Sequence, residues 1–225
     1  NTIKSTSTLD RYLTAVKASG VDRRKMTLSY QETFSGGVNV ECVAVNNATD
    51  FDPTRSPDPG DENTNSIALI VSFADFDYFT AGDLTLDPEK SLSKGIKNSD
   101  VYHIDHHGSQ ATSSNIDFVK KLDPEVSVAS NGTRHGHPTK VVAERLIGIG
   151  GKHFQTNMNK DGRAYQPDAK YVADDSFYED NDDREESDGA LGTIRIVVDP
   201  IRAKYYVLMP GLPLAEGTFD VEKAP

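Results

Sequence analysis

One segment of this chain is apolar on both faces of an extended strand. The odd-numbered positions from Ile67 to Phe73 are all apolar, and Ala68 and Ile70 are apolar on the opposite face. Strands of this kind are typical of a sheet that is covered on both sides. The segment therefore predicts a central strand in a layered fold.

Strands and helices alternate from this segment onward to residue 154. Strand patterns recur at 76–80, 101–105, 126–128 and 153–155, and helical patterns lie between them at 114–120 and 138–146. Ser114 is expected to cap the first of these helices with Asp117 as its capping-box partner, and Pro138 to open the second. The alternation predicts an α/β fold in which strands and helices form separate layers.

The patterning outside this region is weaker. The sequence indicates a helix at Ser7–Ser19, a strand that begins at Val38 after two glycines, a polar loop over 47–65, and two late strands at 194–198 and 205–208. The 225 residues are interpreted as one domain, which is long enough to bury a sizeable core.

The charge is unevenly distributed. The formal net charge is −11, and nine of the fifteen residues from 174 to 188 are acidic. We interpret this run as a solvated loop within an insertion over 158–191, and the alternative, a calcium-binding loop, lacks the D-x-[DN]-x-[DN]-G pattern. The net charge disfavours binding of DNA or RNA across a whole face. No run of about 18 apolar residues is present, so no membrane span is expected.

The histidines are concentrated in one region. Five of the six lie between His103 and His137, and His106, His107, His135 and His137 fall in loops that follow predicted strands. Gly82-Asp83 also follows a strand. Imidazoles and a carboxylate suit zinc, manganese or iron, and the single cysteine excludes a cysteine cluster. A solvated histidine pair and a simple turn remain the alternatives. His103 and His153 are expected to be structural.

Several short motifs accompany these residues in a fixed order. They are Phe79-Thr80-Ala81-Gly82-Asp83 (compare F-L-L-T-G-D), Asp105-His106-His107-Gly108-Ser109 followed by Ser113-Ser114 (compare H-H-G-S), Ser130-Asn131-Gly132, Gly136-His137-Pro138, Gln155-Thr156-Asn157 and Gly192-Thr193-Ile194. In this order they resemble the C-terminal half of a metallo-β-lactamase-fold hydrolase. The subgroup with the greatest likeness is the soluble hydrolase domain of the bacterial competence proteins, the DNA-uptake channel family.

The resemblance implies a fold and a site. The fold would be an αββα sandwich of metallo-β-lactamase type. Asp83, His106 and His107 would hold two metal ions, Zn²⁺ or alternatively Mn²⁺, and Asp83 and His137 would act in catalysis. Ser109, Ser113 and His135 would contact the substrate. The implied reaction is hydrolysis by a metal-bound hydroxide, with a small-molecule or nucleic-acid phosphodiester as substrate.

One departure from the family leaves the function open. The first metal motif, H-x-H-x-D-H or H-x-D-x-D-H, is absent from these 225 residues, so the N-terminal part of the fold is expected to be missing. An upstream segment of the same protein would then complete the site, and the chain alone would bind metal weakly and be inactive. The alternatives are a lactone or ester hydrolase of the same fold and an inactive binding module. The compartment stays open; the resemblance fits a soluble bacterial protein, secreted or periplasmic.

Overall fold

The computed structural model describes residues 7–22, 25–132, 135–159, 161–174 and 193–221. The helices are α1 (Ser7–Ser19), α2 (Leu86–Leu92), α3 (Ile116–Leu122) and α4 (Lys140–Gly148). The strands are β1 (Gln31–Thr33), β2 (Val38–Val45), β3 (Ala48–Thr49), β4 (Ala68–Phe73), β5 (Phe76–Thr80), β6 (Val101–His103), β7 (Val126–Ala129), β8 (Lys152–Asn157), β9 (Val172–Asp174), β10 (Arg195–Asp199), β11 (Lys204–Leu208) and β12 (Thr218–Asp220).

The strands form two sheets. The large sheet has the order β1-β2-β4-β5-β6-β7-β8-β9, with β3 paired to β2, and the small sheet has the order β10-β11-β12. Strands β1 to β5 pair antiparallel, whereas β5 to β9 run parallel to one another. Because the carboxyl ends of parallel strands lie at one edge of a sheet, the loops after β5, β6, β7 and β8 meet there.

Two apolar clusters cover opposite sides of the large sheet. One joins the sheet to α2, α3 and α4, and at its centre the rings of Phe79 and Phe118 lie 5.4 Å apart, with Tyr102 5.8 Å from Phe79. The other joins β5 to β8 with the small sheet, where Tyr205 packs on Phe76 at 5.2 Å. Each fully buried aromatic or aliphatic side chain stabilises the fold by about 1.5–3 kcal/mol. The result is a helix–sheet–sheet sandwich.

This architecture confirms the α/β fold class and the central position of β4. Strand β4 lies between β2 and β5, but its second face is only partly covered, because Leu69, Val71 and Phe73 are half-buried and Ile67 is 43% exposed. The outer helical layer of an αββα sandwich is not seen among the described residues. None of the described side chains of α1 is fully buried, and no described helix is long and apolar enough to cross a membrane.

Several local predictions are corrected. The residue that caps α3 is Asn115 rather than Ser114, since the Asn115 side chain accepts the N–H groups of Asp117 and Phe118. Helix α4 begins at Lys140, so Pro138 lies outside it. The strand predicted for 101–105 ends at His103, because the chain turns sharply at the next residues.

Only part of the predicted insertion over 158–191 lies within the described residues. Residues 172–174 within it form β9, which pairs in parallel with β8 and extends the large sheet. The acidic run lies outside the described residues except for Asp174. The alternation pattern also missed α2, because only two of its seven residues, Leu86 and Leu92, are aliphatic.

Candidate metal centre

Backbone hydrogen bonds join the loops at the carboxyl edge of β5 to β8. The His106 N–H donates to the Gly82 carbonyl at 2.9 Å, which links the loop after β6 to the loop after β5. The Thr139 N–H donates to the Gly108 carbonyl at 3.0 Å, which links the loop after β6 to the end of the loop after β7. Asp83, His106 and His137, which lie far apart in the sequence, are thus carried on adjoining loops.

Asp83 and His107 face each other at this edge. Asp83 Oδ1 lies 3.5 Å from His107 Nε2, and the side chains are 39% and 52% exposed. His107 Nδ1 lies 2.7 Å from the Ser130 carbonyl oxygen, which can only accept, so Nδ1 carries a proton and donates it. In the neutral imidazole Nε2 is then an acceptor that faces a carboxylate, which is also an acceptor. This pair is favourable only with a positive charge, either a second proton on the ring or a metal ion.

The turn that carries His106 and His107 has an unusual backbone. Three consecutive residues have left-handed torsions: His106 at φ 48°, His107 at φ 55° and Gly108 at φ 82°. Such a conformation costs about 1–2 kcal/mol for each residue other than glycine. Strained residues persist only where the surroundings determine them, and they cluster at functional sites.

The side chain of His106 is oriented by Thr112. Its Nδ1 lies 2.9 Å from Thr112 Oγ1, which leaves Nε2 as the ring nitrogen for another ligand. The same pattern holds for His107, whose Nδ1 is bound to a carbonyl. Histidine ligands of metals commonly have their second nitrogen bound in this way.

His135 and His137 lie beside this turn. His135 is exposed at φ 70°, and Gly136 follows at φ 67°. The pKa of His137 is lowered by burial and by the nearby positive charges of His106, His107, His135 and Arg163. Its Nδ1 atom is buried and has no hydrogen-bond partner in the described part of the chain. A buried polar atom without a partner costs about 1–3 kcal/mol, so this ring has unused capacity for a ligand or proton.

The two serines predicted to contact substrate lie next to the turn that carries His106 and His107 and bond to it. Ser113 is fully buried, and its hydroxyl donates to the Asp105 carbonyl at 2.9 Å. Ser109 is also buried, and its N–H donates to the His106 carbonyl at 3.0 Å. In this arrangement both residues stabilise the turn, and the Ser113 hydroxyl is not directed at a ligand.

Two buried acids support the site and were missed by sequence reasoning. Glu89 and Asp105 are both fully buried. Burial raises the pKa of Glu89 to about 7, against the opposing effect of the backbone N–H groups of Asn115 and Ser114. Burial and the neighbouring charge of Glu89 raise the pKa of Asp105 well above its usual range. Nothing in the pattern of α2 distinguishes Glu89 from a solvated helix acid.

Asn159, which follows β8, orients the loop of His137. It is 1% exposed, and its side-chain amide donates to the carbonyls of Gly132 at 3.1 Å and His137 at 3.0 Å. Asp161 and Arg163 form an ion pair beside this loop. No motif pointed to these three residues, because their role depends on the fold that returns β8 next to β7.

The remaining two histidines lie among polar neighbours in the sheet. His103 bridges Thr80 Oγ1 at 3.0 Å and Ser130 Oγ at 2.8 Å. His153 is 4% exposed and lies 3.1 Å from Ser127 Oγ, and burial lowers its pKa to about 4. Both have structural hydrogen-bond partners.

The donor types at this edge suit a divalent cation, but their number is small. Within the described ranges, no group of three His, Cys, Asp or Glu side chains is close enough to hold a metal ion together. Asp83 and His107 are placed as a pair, whereas a zinc site takes about three or four protein ligands. The pair therefore fits as part of a metal site.

Comparison with known proteins leaves the family open. Neither a protein-family model nor a curated protein sequence matches the chain. A solved structure of a protein proposed to be a metal-dependent hydrolase, from Parabacteroides distasonis ATCC 8503, is similar with a TM-score of 0.42 and 15% sequence identity. The match covers 63% of this chain and 60% of that protein, so the chain matches less than two thirds of its length. The resemblance to the competence proteins stays a prediction.

Proposed function

We propose that this protein is a metal-dependent hydrolase whose metal centre is built on the Asp83–His107 pair, with His106 on the same turn as a further candidate ligand. One observation carries the proposal: Asp83 Oδ1 and His107 Nε2 face each other at 3.5 Å while His107 Nδ1 donates its proton to a carbonyl. Such a pair is favourable with a positive charge, which a metal ion between the two acceptors or a second proton on the ring would supply. The left-handed backbone at His106 and His107 is a second support, since residues in such conformations cluster at functional sites.

The roles of the residues follow from their hydrogen bonds. Asp83 and His107 would hold the metal, and His106 would present Nε2 from the same turn. A bound divalent cation polarises a phosphoryl or carbonyl oxygen and lowers the pKa of water. His137, the second predicted catalytic residue, would accept a proton near the substrate, because its lowered pKa leaves the ring neutral.

A phosphodiester is the proposed substrate, at the level of chemical class. Exposed cationic groups beside His137, namely His135 when protonated and Arg163, favour an anionic ligand, although Arg163 is paired with Asp161. A lactone or another ester needs no such groups and is the second candidate. Of the predicted substrate contacts, His135 is exposed, while Ser109 and Ser113 are buried in the turn.

The remaining metal ligands are proposed to come from an upstream segment of the same protein, as the first motif of the resembled family would supply. Each missing ligand removes a bond that the retained ligands do not replace. We therefore expect the 225-residue chain to bind Zn²⁺ or Mn²⁺ weakly by itself. An inactive binding module is the competing function. The observation that supports this alternative is the small number of metal-ligand side chains that lie next to one another in the described residues.

The test uses the protein with the proposed upstream segment included. It compares hydrolysis of bis(p-nitrophenyl) phosphate and p-nitrophenyl acetate in the presence of saturating Zn²⁺ or Mn²⁺. The variants are Asp83→Asn and His107→Gln, with Asp75→Asn as the control. Asp75 is exposed in the turn before β5, at the opposite end of that strand from Asp83.

The proposal is supported if turnover of the phosphodiester falls at least about 100-fold in both site variants and is retained in the control. Turnover of the acetate alone would favour the ester hydrolase. Metal binding that depends on Asp83 without any turnover would favour the binding module. Equal activity in all four proteins would contradict the assignment of the site.

A further inference from the structure

We infer that Glu89 is a positioning residue that holds the His106-His107 turn in its left-handed conformation by anchoring the segment 112–115. The consequence for metal binding rests on the proposed function, but the positioning itself does not. Glu89 belongs to α2, which begins three residues after Asp83.

Glu89 fixes the backbone at Ser114 and Asn115. Its two carboxylate oxygens accept the N–H of Ser114 and the N–H of Asn115, each at 2.7 Å. The guanidinium of Arg145 donates to the Ser114 carbonyl at 2.9 Å, so this peptide is held from both sides. Ser114 itself has φ 57°, which a residue with a side chain adopts at a cost. Hydrogen bonds with an ionised acceptor are shorter and stronger than those between neutral groups.

The anchored segment is bonded to the histidine turn at two adjacent points. The Ser113 hydroxyl donates to the Asp105 carbonyl at 2.9 Å, one residue before the turn becomes left-handed. Thr112 Oγ1 lies 2.9 Å from His106 Nδ1 and so sets the rotation of that ring. A shift of residues 112–115 would therefore release both the backbone before His106 and the ring of His106.

A third connection passes through Tyr102. Its hydroxyl lies 3.3 Å from Ser114 Oγ and accepts the N–H of Asp105 at 3.1 Å. Glu89, Tyr102 and Asp105 thus surround the start of the turn with fully buried groups. Glu89 accepts the two N–H groups with two separate carboxylate oxygens, and an amide in its place would keep only one acceptor oxygen.

A purely stabilising role for Glu89 makes a different prediction. Loss of a buried carboxylate from any place in the core lowers the free energy of unfolding, but it has no specific effect on the histidine rings. Asp100 offers a matched control, since it is 7% exposed and its Oδ2 accepts the Asp77 N–H at 2.7 Å near the start of β6, away from the histidines at the other end.

The experiment records ¹H–¹⁵N spectra of the imidazole rings at pH 8 without metal, for the wild type, Glu89→Gln and Asp100→Asn. In Glu89→Gln the amide nitrogen would face an N–H donor, so one of the two hydrogen bonds is lost. We expect the His106 and His107 signals to shift while those of His153 stay in place. We expect Asp100→Asn to lose stability and leave His106 and His107 unchanged. Unchanged His106 and His107 signals in Glu89→Gln would overturn the inference.

A second variant keeps the inference testable if Glu89→Gln does not fold. Ser113→Ala removes the bond to the Asp105 carbonyl and leaves Glu89 in place, and we expect it to shift the same two histidine signals. Unchanged signals would refute the connection through Ser113. Titration with Zn²⁺ alone should then show an affinity about 10–100-fold lower in either variant. If the imidazole signals shift in the variants but the wild-type protein binds no Zn²⁺, the positioning role is supported and the proposed function is contradicted.

Discussion

Replacement of Gly108 by alanine tests how closely the histidine turn packs against the next loop. A Cβ atom at this position would lie 2.6 Å from Pro138 Cβ and 2.9 Å from Pro138 Cα. Carbon atoms in contact are normally about 3.5–4.0 Å apart, so the two loops would have to separate by about 1 Å. Overpacking of this kind costs about 1–3 kcal/mol. The left-handed backbone at φ +82° adds about 1–2 kcal/mol for any residue with a Cβ.

Gly37→Ala is the matched control for this substitution. Gly37 has φ +89° and no atom within 4 Å of the added Cβ, so only the backbone cost applies. Urea unfolding should give a loss of about 2–5 kcal/mol for Gly108→Ala and about 1–2 kcal/mol for Gly37→Ala. If the two variants lose the same free energy of unfolding, Gly108 does not pack against Pro138 and the junction of the two loops is wrong.

Three further predictions concern the cap of α3, a buried histidine and a buried cysteine. Asn115→Ala removes the side chain that accepts the Asp117 and Phe118 N–H groups, and urea unfolding should show a loss of about 0.5–2 kcal/mol; no loss would refute the cap. The pKa of His153 is lowered to about 4 in the folded protein, so the unfolded chain binds a proton first as the pH falls. Stability should therefore decrease between about pH 6.5 and pH 4 by up to about 3 kcal/mol, and His153→Gln, measured by thermal unfolding across this range, should lose that part of the pH dependence; an unchanged pH dependence would contradict the buried neutral ring. Burial raises the pKa of Cys42 to about 11, so a disulfide reagent such as DTNB should leave it unmodified in the native protein and modify it fully in guanidinium chloride; rapid native labelling would refute its burial.

The fold was predictable where the pattern had one dominant period. The alternation of apolar residues identified β4 and β5, and the amphipathic spacing identified α1 with the bounds that the structure has. Two elements, α2 and β9, were missed, because α2 has only two aliphatic residues in its sequence LDPEKSL and β9 has only three residues. How far the second face of β4 is exposed depends on the elements that pack against that face. The apolar pattern within β4 contains no information about those elements.

Sequence reasoning placed the candidate residues on loops that the structure brings to one edge of the sheet, but it did not find the residues that support those loops. Asp83, His106, His107 and His137 were chosen because they follow strands, and the parallel order of β5 to β8 accounts for their being carried to one edge. Glu89 and Asn159 act through buried hydrogen bonds to backbone atoms of other loops. Such contacts connect residues 22 or more positions apart and leave no local pattern. Ser113 was expected to meet a substrate because a serine beside a helix start looks available, whereas its hydroxyl is used within the turn.

Anomalous X-ray diffraction from crystals of this chain grown with Zn²⁺ tests the central claim most directly. The account predicts an anomalous peak between Asp83 and His107, within about 2.0–2.2 Å of a carboxylate oxygen and of Nε2. The peak should be absent from crystals of Asp83→Asn grown under the same conditions. The contradicting result is a direct contact between Asp83 and His107 with no anomalous peak between them. This result counts if other surface histidines bind Zn²⁺ in the same crystals, and it would contradict the assignment of this edge as a metal centre.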